Sequence, residues 1–246
     1  MSVAPASGTP ARPTALVTGA SRGIGRAITR HLAATHDVLA LARTADALDS
    51  LASEVAAESP EARVEPLVAD VGDPAAGDRI AAALGGRPVD VLVHNAGVGV
   101  LRPLLELDPA DWRRMVDVNV NALFYLTRAV LPGMVARERG HVVLVGSIAG
   151  RSAFVGGAGY AATKHFGVGF AESLMLEVRD AGVRVSVVSP GSVKTGFSGA
   201  DKPRDPDWQI LPEDVAEAVA YVVATPPGVL VHRVEVRALS PKRARG

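Results

Sequence analysis

The chain has 246 residues, 48% of them apolar, enough for a sizeable core and too apolar for a disordered body. Lysine plus arginine and aspartate plus glutamate each number 26, so no charge bias favours nucleic acid or an anionic membrane as the main partner. Cysteine is absent, which excludes disulfides, a thiol nucleophile and zinc–thiolate sites and suits a reducing, cytoplasmic interior.

Residues 1–12 are rich in Ala, Pro, Ser and Gly and lack the apolar run of a secretory signal, so they read as a loose tail. Thr14–Thr18 is a short apolar run that stops at Gly19. From Gly23 a helix is expected, with Ile24, Ala27, Ile28, His31 and Leu32 on one face. Strand and helix then alternate: Val38–Leu41, a helix over Ala45–Ala57, Val64–Val68, a helix near Pro74–Leu84, and Val89–Val93. A long helical pattern covers Pro109 to about Arg137, with Trp112, Met115, Val116, Val120, Leu123 and Phe124 as its apolar face. His141–Val145, a helix near Gly159–Ala181, Val183–Val188, a helix over Pro212–Ala224 and Val229–Val236 complete the series. No stretch approaches the length of a membrane span.

Seven apolar runs with helices between them call for a parallel sheet covered on both faces. The economical reading is one doubly wound α/β domain over residues 13–239, a three-layer αβα Rossmann arrangement with a seven-stranded parallel sheet. Residues 240–246, with Lys242, Arg243 and Arg245, read as a basic, solvated tail.

Gly19-Ala20-Ser21-Arg22-Gly23-Ile24-Gly25 lies where the first strand gives way to the first helix. Its glycines permit a tight turn and close backbone approach, and the helix start offers free N–H groups, an environment suited to a pyrophosphate. The bland alternative is a glycine turn kept for packing. The spacing, Gly-x-x-x-Gly-x-Gly after Thr18, resembles the short-chain dehydrogenase/reductase family.

The second strand ends in neutral Ala42 followed by Arg43, and Arg22 sits in the glycine loop. Two guanidinium groups without an acid suit a ribose 2′-phosphate, since Arg offers a fixed fork of charged donors. The resemblance then implies NADP(H); the alternative is two ordinary solvent-facing arginines. It also implies that Asp70, with Val71 beside it, meets the adenine, although Asp70 also suits a turn or helix cap. Asn95-Ala96-Gly97 matches the family's Asn-Ala-Gly element, which steadies the sheet and lines the adenine ribose. His94 reads as a strand-packing residue.

Tyr160 and Lys164 stand four apart at a helix start, on one face, where an ammonium favours the tyrosinate. Ser147 lies thirteen positions earlier, at the carboxyl end of a strand, where open α/β sheets bind ligands. Asn119 falls within the apolar face of the long helix and needs buried partners. Asn119, Ser147, Tyr160 and Lys164 resemble the family's catalytic tetrad, and Pro190-Gly191-Ser192-Val193-Lys194-Thr195 resembles its element at the nicotinamide end. Pro190, Gly191, Val193 and Thr195 join the expected cofactor contacts.

The resemblance covers residues 14–225 and implies hydride transfer between NADP(H) and a carbonyl or secondary alcohol, with no metal. In it Tyr160 donates a proton, Ser147 binds the carbonyl oxygen, Lys164 holds the ribose and lowers the tyrosine pKa, and Asn119 holds a water. The substrate pocket is expected from Val98–Leu101, Ala149–Phe154 and a mobile segment at 196–211 with Phe197 and Trp208. Arg151 or Lys194 could meet an anionic substrate, though a solvated charge is the plainer reading of each. The ending around Val229–Pro241 is similar to the branch acting on short 3-hydroxy acids and small alcohols. A homodimer or homotetramer is expected, using the Pro109–Arg137 and Gly159–Ala181 helices. Two other functions fit less well: a 3-oxoacyl-thioester reductase sharing the tetrad, and an NADP-binding sensor, which would not need all four residues.

Overall fold

A parallel strand covered on both faces has no solvent side, so apolar residues occupy successive positions rather than alternate ones. In β1 (Thr14–Thr18), Ala15, Leu16 and Val17 are all fully buried. The structure, a computed structural model, describes residues 12–197 and 208–240. The expected tails therefore fall almost wholly outside the described residues, as does most of the segment at 196–211.

The elements after β1 are α1 (Gly23–Ala33), β2 (Asp37–Ala42), α2 (Ala45–Glu58), β3 (Arg63–Val68), α3 (Ala76–Leu84) and β4 (Val91–His94). Then come α4 (Pro109–Val116), α5 (Ala122–Ala136), β5 (Gly140–Val145), α6 (Ala158–Val178), β6 (Val183–Pro190), α7 (Pro212–Ala224) and β7 (Arg233–Val236). All seven strands are parallel in the order β3-β2-β1-β4-β5-β6-β7, the seven-stranded sheet expected from the sequence.

Side chains alternate between two cores. Ala15, Val17, Val91 and Val93 pack with Ile28 and Leu32 of α1, Leu51 of α2 and Val219 of α7. Leu16, Leu92 and Leu144 face the other way, onto Ile80 of α3, Leu126 of α5 and Leu174 of α6. The order reverses between β1 and β4: the chain runs one way through β2 and β3, then the other way from β4 to β7. The connections leave opposite faces there and open a crevice at the strands' carboxyl ends.

Four expectations need correction. His31 is exposed, because α1 needs only Ala27, Ile28 and Leu32 to cover the sheet. Trp112 and Phe124 are 41% and 49% exposed and lie outside the core. The long helix is interrupted by a π turn over Asp117–Asn121, which breaks the spacing on which that apolar face was drawn. β7 begins at Arg233, not Val229, because β6 offers pairing positions only from Val187 to Pro190 and residues 226–229 are taken up in a turn.

Two imidazoles lie inside these cores. His94 Nε2 is 2.9 Å from Thr127 Oγ1, as befits a strand-packing residue. His141 Nε2 is 2.8 Å from Ser186 Oγ, whose hydrogen goes to the Val231 carbonyl at 2.7 Å. The ring therefore donates from Nε2 and stays neutral. Burial lowers His94 to about 4 and, with the nearby Arg184 charge, His141 to about 3.

Both values lie below the ordinary 6.5, so below that pH the unfolded chain binds more protons and stability falls as pH falls. At about 1.4 kcal/mol per pH unit and group, the unfolding free energy should drop by up to about 4 kcal/mol between pH 6.5 and about pH 5. Urea titrations at the two pH values measure it, and His94→Gln should flatten the slope; an unchanged slope would assign the acid sensitivity elsewhere.

Candidate active site

The crevice begins where β1 ends. The Thr18 hydroxyl donates to the Val93 carbonyl at 3.2 Å and accepts from the amides of Asn95 and Ala96, both at 3.0 Å. Asn95 returns its side-chain amide to the carbonyls of Thr18 (2.9 Å) and Gly19 (3.3 Å). Gly19 has φ +68°, and a Cβ on Gly25 would lie 2.2 Å from the Gly19 carbonyl oxygen. Only glycine permits that closeness. α1 starts at Gly23 with no side-chain cap and no acid in its first turn, leaving its amides for an anion.

A cleft of about 860 Å³ runs from this loop across the strand ends. Ser21, Arg22, Gly23, Ile24, Arg43, Asp70 and Val71 line one half, and Ser147, Tyr160, Lys164, Pro190, Gly191 and Val193 the other, with Asn95, Ala96, Gly97 and Thr195, which lies against Gly23, between. Gly25 and Asn119 act from behind the wall. A glycine floor, uncapped helix amides and two arginines fit a phosphorylated dinucleotide.

Asp70 has two roles to reconcile. It accepts from the Gly72 amide at 2.9 Å, the turn contact, and both of its oxygens lie 3.0 Å from Arg114. Burial pushes its carboxyl up, but Arg114, the Gly72 amide and the Arg43 charge outweigh that, and the pKa stays below its ordinary value. Arg114 lines the cleft and was not anticipated, because nothing in the local sequence links α4 to the end of β3.

At the other end Ser147 follows β5, where its oxygen accepts from the Ala149 amide at 3.1 Å and caps a short turn. Tyr160 and Lys164 lie on the first turns of α6. Lys164 Nζ donates to the Val145 carbonyl at 3.4 Å and lies 5.8 Å from the Tyr160 ring centroid. Asn119 occupies the π turn, where its amide donates to the Val98 carbonyl (2.8 Å) and Thr163 Oγ1 (3.0 Å) and its oxygen accepts from the Val98 amide (2.9 Å). A Cβ on Gly97 would lie 3.5 Å from both Asn119 Oδ1 and Lys164 Nζ, so two residues distant in sequence meet beside one glycine.

Burial raises the Tyr160 pKa, and the Ser147 hydroxyl beside it only partly opposes this. The direction is opposite to the one expected from the ammonium. Lys164 keeps some residue surface towards the cleft, but its amine is enclosed, and burial lowers it to about 8.

Phe197 stacks at a tilt on Tyr160, ring centroids 5.7 Å apart, and Leu101, Ser152, Phe154 and Gln209 also line this end. Arg151, Lys194 and Trp208, expected near the substrate, do not line the cleft. The loop after β6 is held instead by the pairing of Val193 with Ile210 and by Gln209, which donates to Ser192 Oγ at 2.5 Å.

Comparisons with known proteins agree on one kinship. The family described as short chain dehydrogenase matches residues 13–205. The NADP-dependent 3-hydroxy acid dehydrogenase YdfG of Salmonella typhi is 37% identical over 235 residues, covering 90% of this chain and 93% of the relative. Among solved structures, a serine dehydrogenase complexed with NADP+ aligns with TM-score 0.83 at 34% identity, over 95% of this chain and 100% of its own. An alcohol dehydrogenase from the archaeon Thermococcus sibiricus, complexed with 5-hydroxy-NADP, aligns with TM-score 0.86 at 29% identity, over 94% and 99%. None of the described helices is long and apolar enough to cross a membrane.

Lys164 exacts a stability cost that can be measured. Its folded pKa of about 8 lies below the ordinary 10.5, so at neutral pH the fold holds an ammonium it disfavours. Stability should rise with pH between those values, where the unfolded chain binds more protons. The penalty at neutral pH is up to about 3 kcal/mol at about 1.4 kcal/mol per pH unit. Lys164→Met in the ligand-free protein should therefore raise the melting temperature at pH 7 while abolishing turnover; a lower melting temperature would show that the ammonium is compensated.

Proposed function

Because the chain belongs to the short chain dehydrogenase family, we propose that it transfers hydride between NADP(H) and a small ketone or secondary alcohol through Asn119, Ser147, Tyr160 and Lys164. It is an NADP-dependent oxidoreductase acting on CH–OH groups. The observation that carries the finer reading is the convergence of half-buried Ser147, Tyr160 and Lys164 at one end of a cleft whose other end is glycine-floored and cationic.

Bound NADPH supplies the hydride. Arg22 and Arg43 take the 2′-phosphate, the amides at the start of α1 take the pyrophosphate, and Lys164 holds the ribose hydroxyls of the nicotinamide half. Tyr160 transfers its phenolic proton to the substrate oxygen, and Ser147 donates a second hydrogen bond to the same atom. These donors stabilise the developing negative charge, and the Phe197 ring packs against Tyr160 beside them. A buried phenol with a raised pKa is protonated at neutral pH, which suits the reductive direction. Asn119 is a positioning residue, since its carboxamide ties Val98 beside the cleft to Thr163 on the catalytic helix.

The 3-hydroxy acid and serine dehydrogenases among its relatives support a small polar alcohol as the substrate class. Exposed Trp112, Phe124 and Phe166 on α4, α5 and α6 support a homodimer or homotetramer.

Tyr160→Phe should lower kcat by about 10²–10⁴-fold with NADPH affinity nearly unchanged, as measured by steady-state oxidation and equilibrium titration. Retained turnover would remove Tyr160 as the proton donor. Arg22→Ala combined with Arg43→Ala should weaken NADPH binding by at least about 100-fold. NADH should change by no more than about threefold, because it lacks the phosphate; equal losses for both cofactors would refute the arginine assignment.

A further inference from the structure

Arg114 has a built seat at the cofactor end of the cleft. It stands in the last turn of α4, and both it and Asp70, which follows β3, line the cleft. Its Nη2 donates to both Asp70 oxygens at 3.0 Å, with the two side chains 35% and 38% exposed. Gly72 completes the seat in two ways. Its amide donates to Asp70 Oδ1 at 2.9 Å, and a Cβ in its place would lie 2.7 Å from Arg114 Nη1 and 3.1 Å from Val118 Cγ2. The guanidinium therefore rests on bare backbone beside the carboxylate.

An ion pair this exposed adds little to stability, so tying α4 to the end of β3 is a weak account of it. Its effect on Asp70 is more specific. A carboxylate offers about four lone-pair directions, two on each oxygen. Among the described residues, Oδ1 receives the Gly72 amide and Arg114, and Oδ2 receives Arg114 alone. One acceptor position is left, on a carboxylate that lines the cleft. Burial pushes the carboxyl up, but Arg114, the Gly72 amide and the Arg43 charge outweigh that and favour the ionised form. An ionised carboxylate can only accept. It suits the exocyclic amino group of adenine and repels the carbonyl oxygen that hypoxanthine carries at the same place.

We propose that Arg114 is a positioning residue for cofactor recognition: by holding Asp70 as a fixed acceptor, it makes this end of the cleft select an amino group against a carbonyl oxygen. The inference rests on the NADP(H) reading above, with the adenine beside Asp70.

The test titrates the purified full chain with NADPH and with its hypoxanthine analogue, reduced nicotinamide hypoxanthine dinucleotide phosphate. Arg114→Ala should weaken NADPH by about tenfold or more and the analogue by no more than about threefold. Gly72→Ala is the second variant. Residue 72 lies outside the left-handed region, and the added methyl meets the flexible end of the arginine, which it displaces while both charges stay in the chain. It should narrow the preference for NADPH in the same direction. In an Asp70→Asn background, Arg114→Ala should leave the ratio of the two affinities unchanged. Equal affinity of the unaltered chain for both nucleotides, or equal losses for both in Arg114→Ala, overturns the inference. So does a lower melting temperature with both affinities kept, which marks a purely structural ion pair. Each of these outcomes leaves the NADP(H) reading standing. Failure of the unaltered chain to bind NADPH overturns that reading, and the inference falls with it.

Discussion

Where β1 and β4 part, one hydroxyl and one carboxamide hold two strands that are separated in sequence by more than seventy residues. Thr18 accepts from two amides beyond β4 and donates to the Val93 carbonyl, while Asn95 reaches back to the carbonyls of Thr18 and Gly19. The backbone groups at a strand end would otherwise be left without partners as the ladder opens. Because they are satisfied, the crevice can open without disordering its edges. The glycine loop is fixed against this clasp: a Cβ on Gly25 would strike both the Gly19 carbonyl and the Asn95 amide. The cofactor half of the cleft and the start of α1 both depend on it.

From that clasp the cleft extends over two chemically unlike regions. Towards β2 and β3 it is cationic and open, as an anionic cofactor requires. Towards β5 and β6 it is more apolar, and burial acts on Tyr160 and Lys164 there. It raises Tyr160 and lowers Lys164, so the phenol keeps its proton and the amine is strained towards losing one. A site of this kind opposes stability, because a buried ammonium is retained for chemistry that packing would not choose. The π turn shows the same compromise: regular helix geometry is given up over Asp117–Asn121, which sets the Asn119 carboxamide between Val98 and Thr163.

How much could be read beforehand follows from the range of each interaction. Strand runs and helix starts are local, and Thr14–Thr18, Gly23 and Pro212–Ala224 stand where the pattern puts them. The apolar face drawn through Trp112 and Phe124 failed because periodicity measures apolarity and spacing, and the π turn changes the spacing without a mark in the sequence. Arg114 escaped notice for another reason: it reaches its partner, Asp70, from more than forty positions away. Arg151 and Lys194 were judged by charge alone, and charge does not tell which side chains line the cleft.

The sequence by itself determined the parallel, doubly covered sheet, since only strands buried on both faces tolerate such continuous apolar runs. It also determined the glycine loop and the spacing of Tyr160 and Lys164, which are properties of adjacent residues. Tertiary structure decided what those residues are worth chemically. The direction of the Tyr160 pKa, the commitment of Asp70 to Arg114 and the separation of the cationic from the more apolar end all depend on what lies across the cleft. Burial and long-range pairing set these properties, and both arise only once the strands have taken their order.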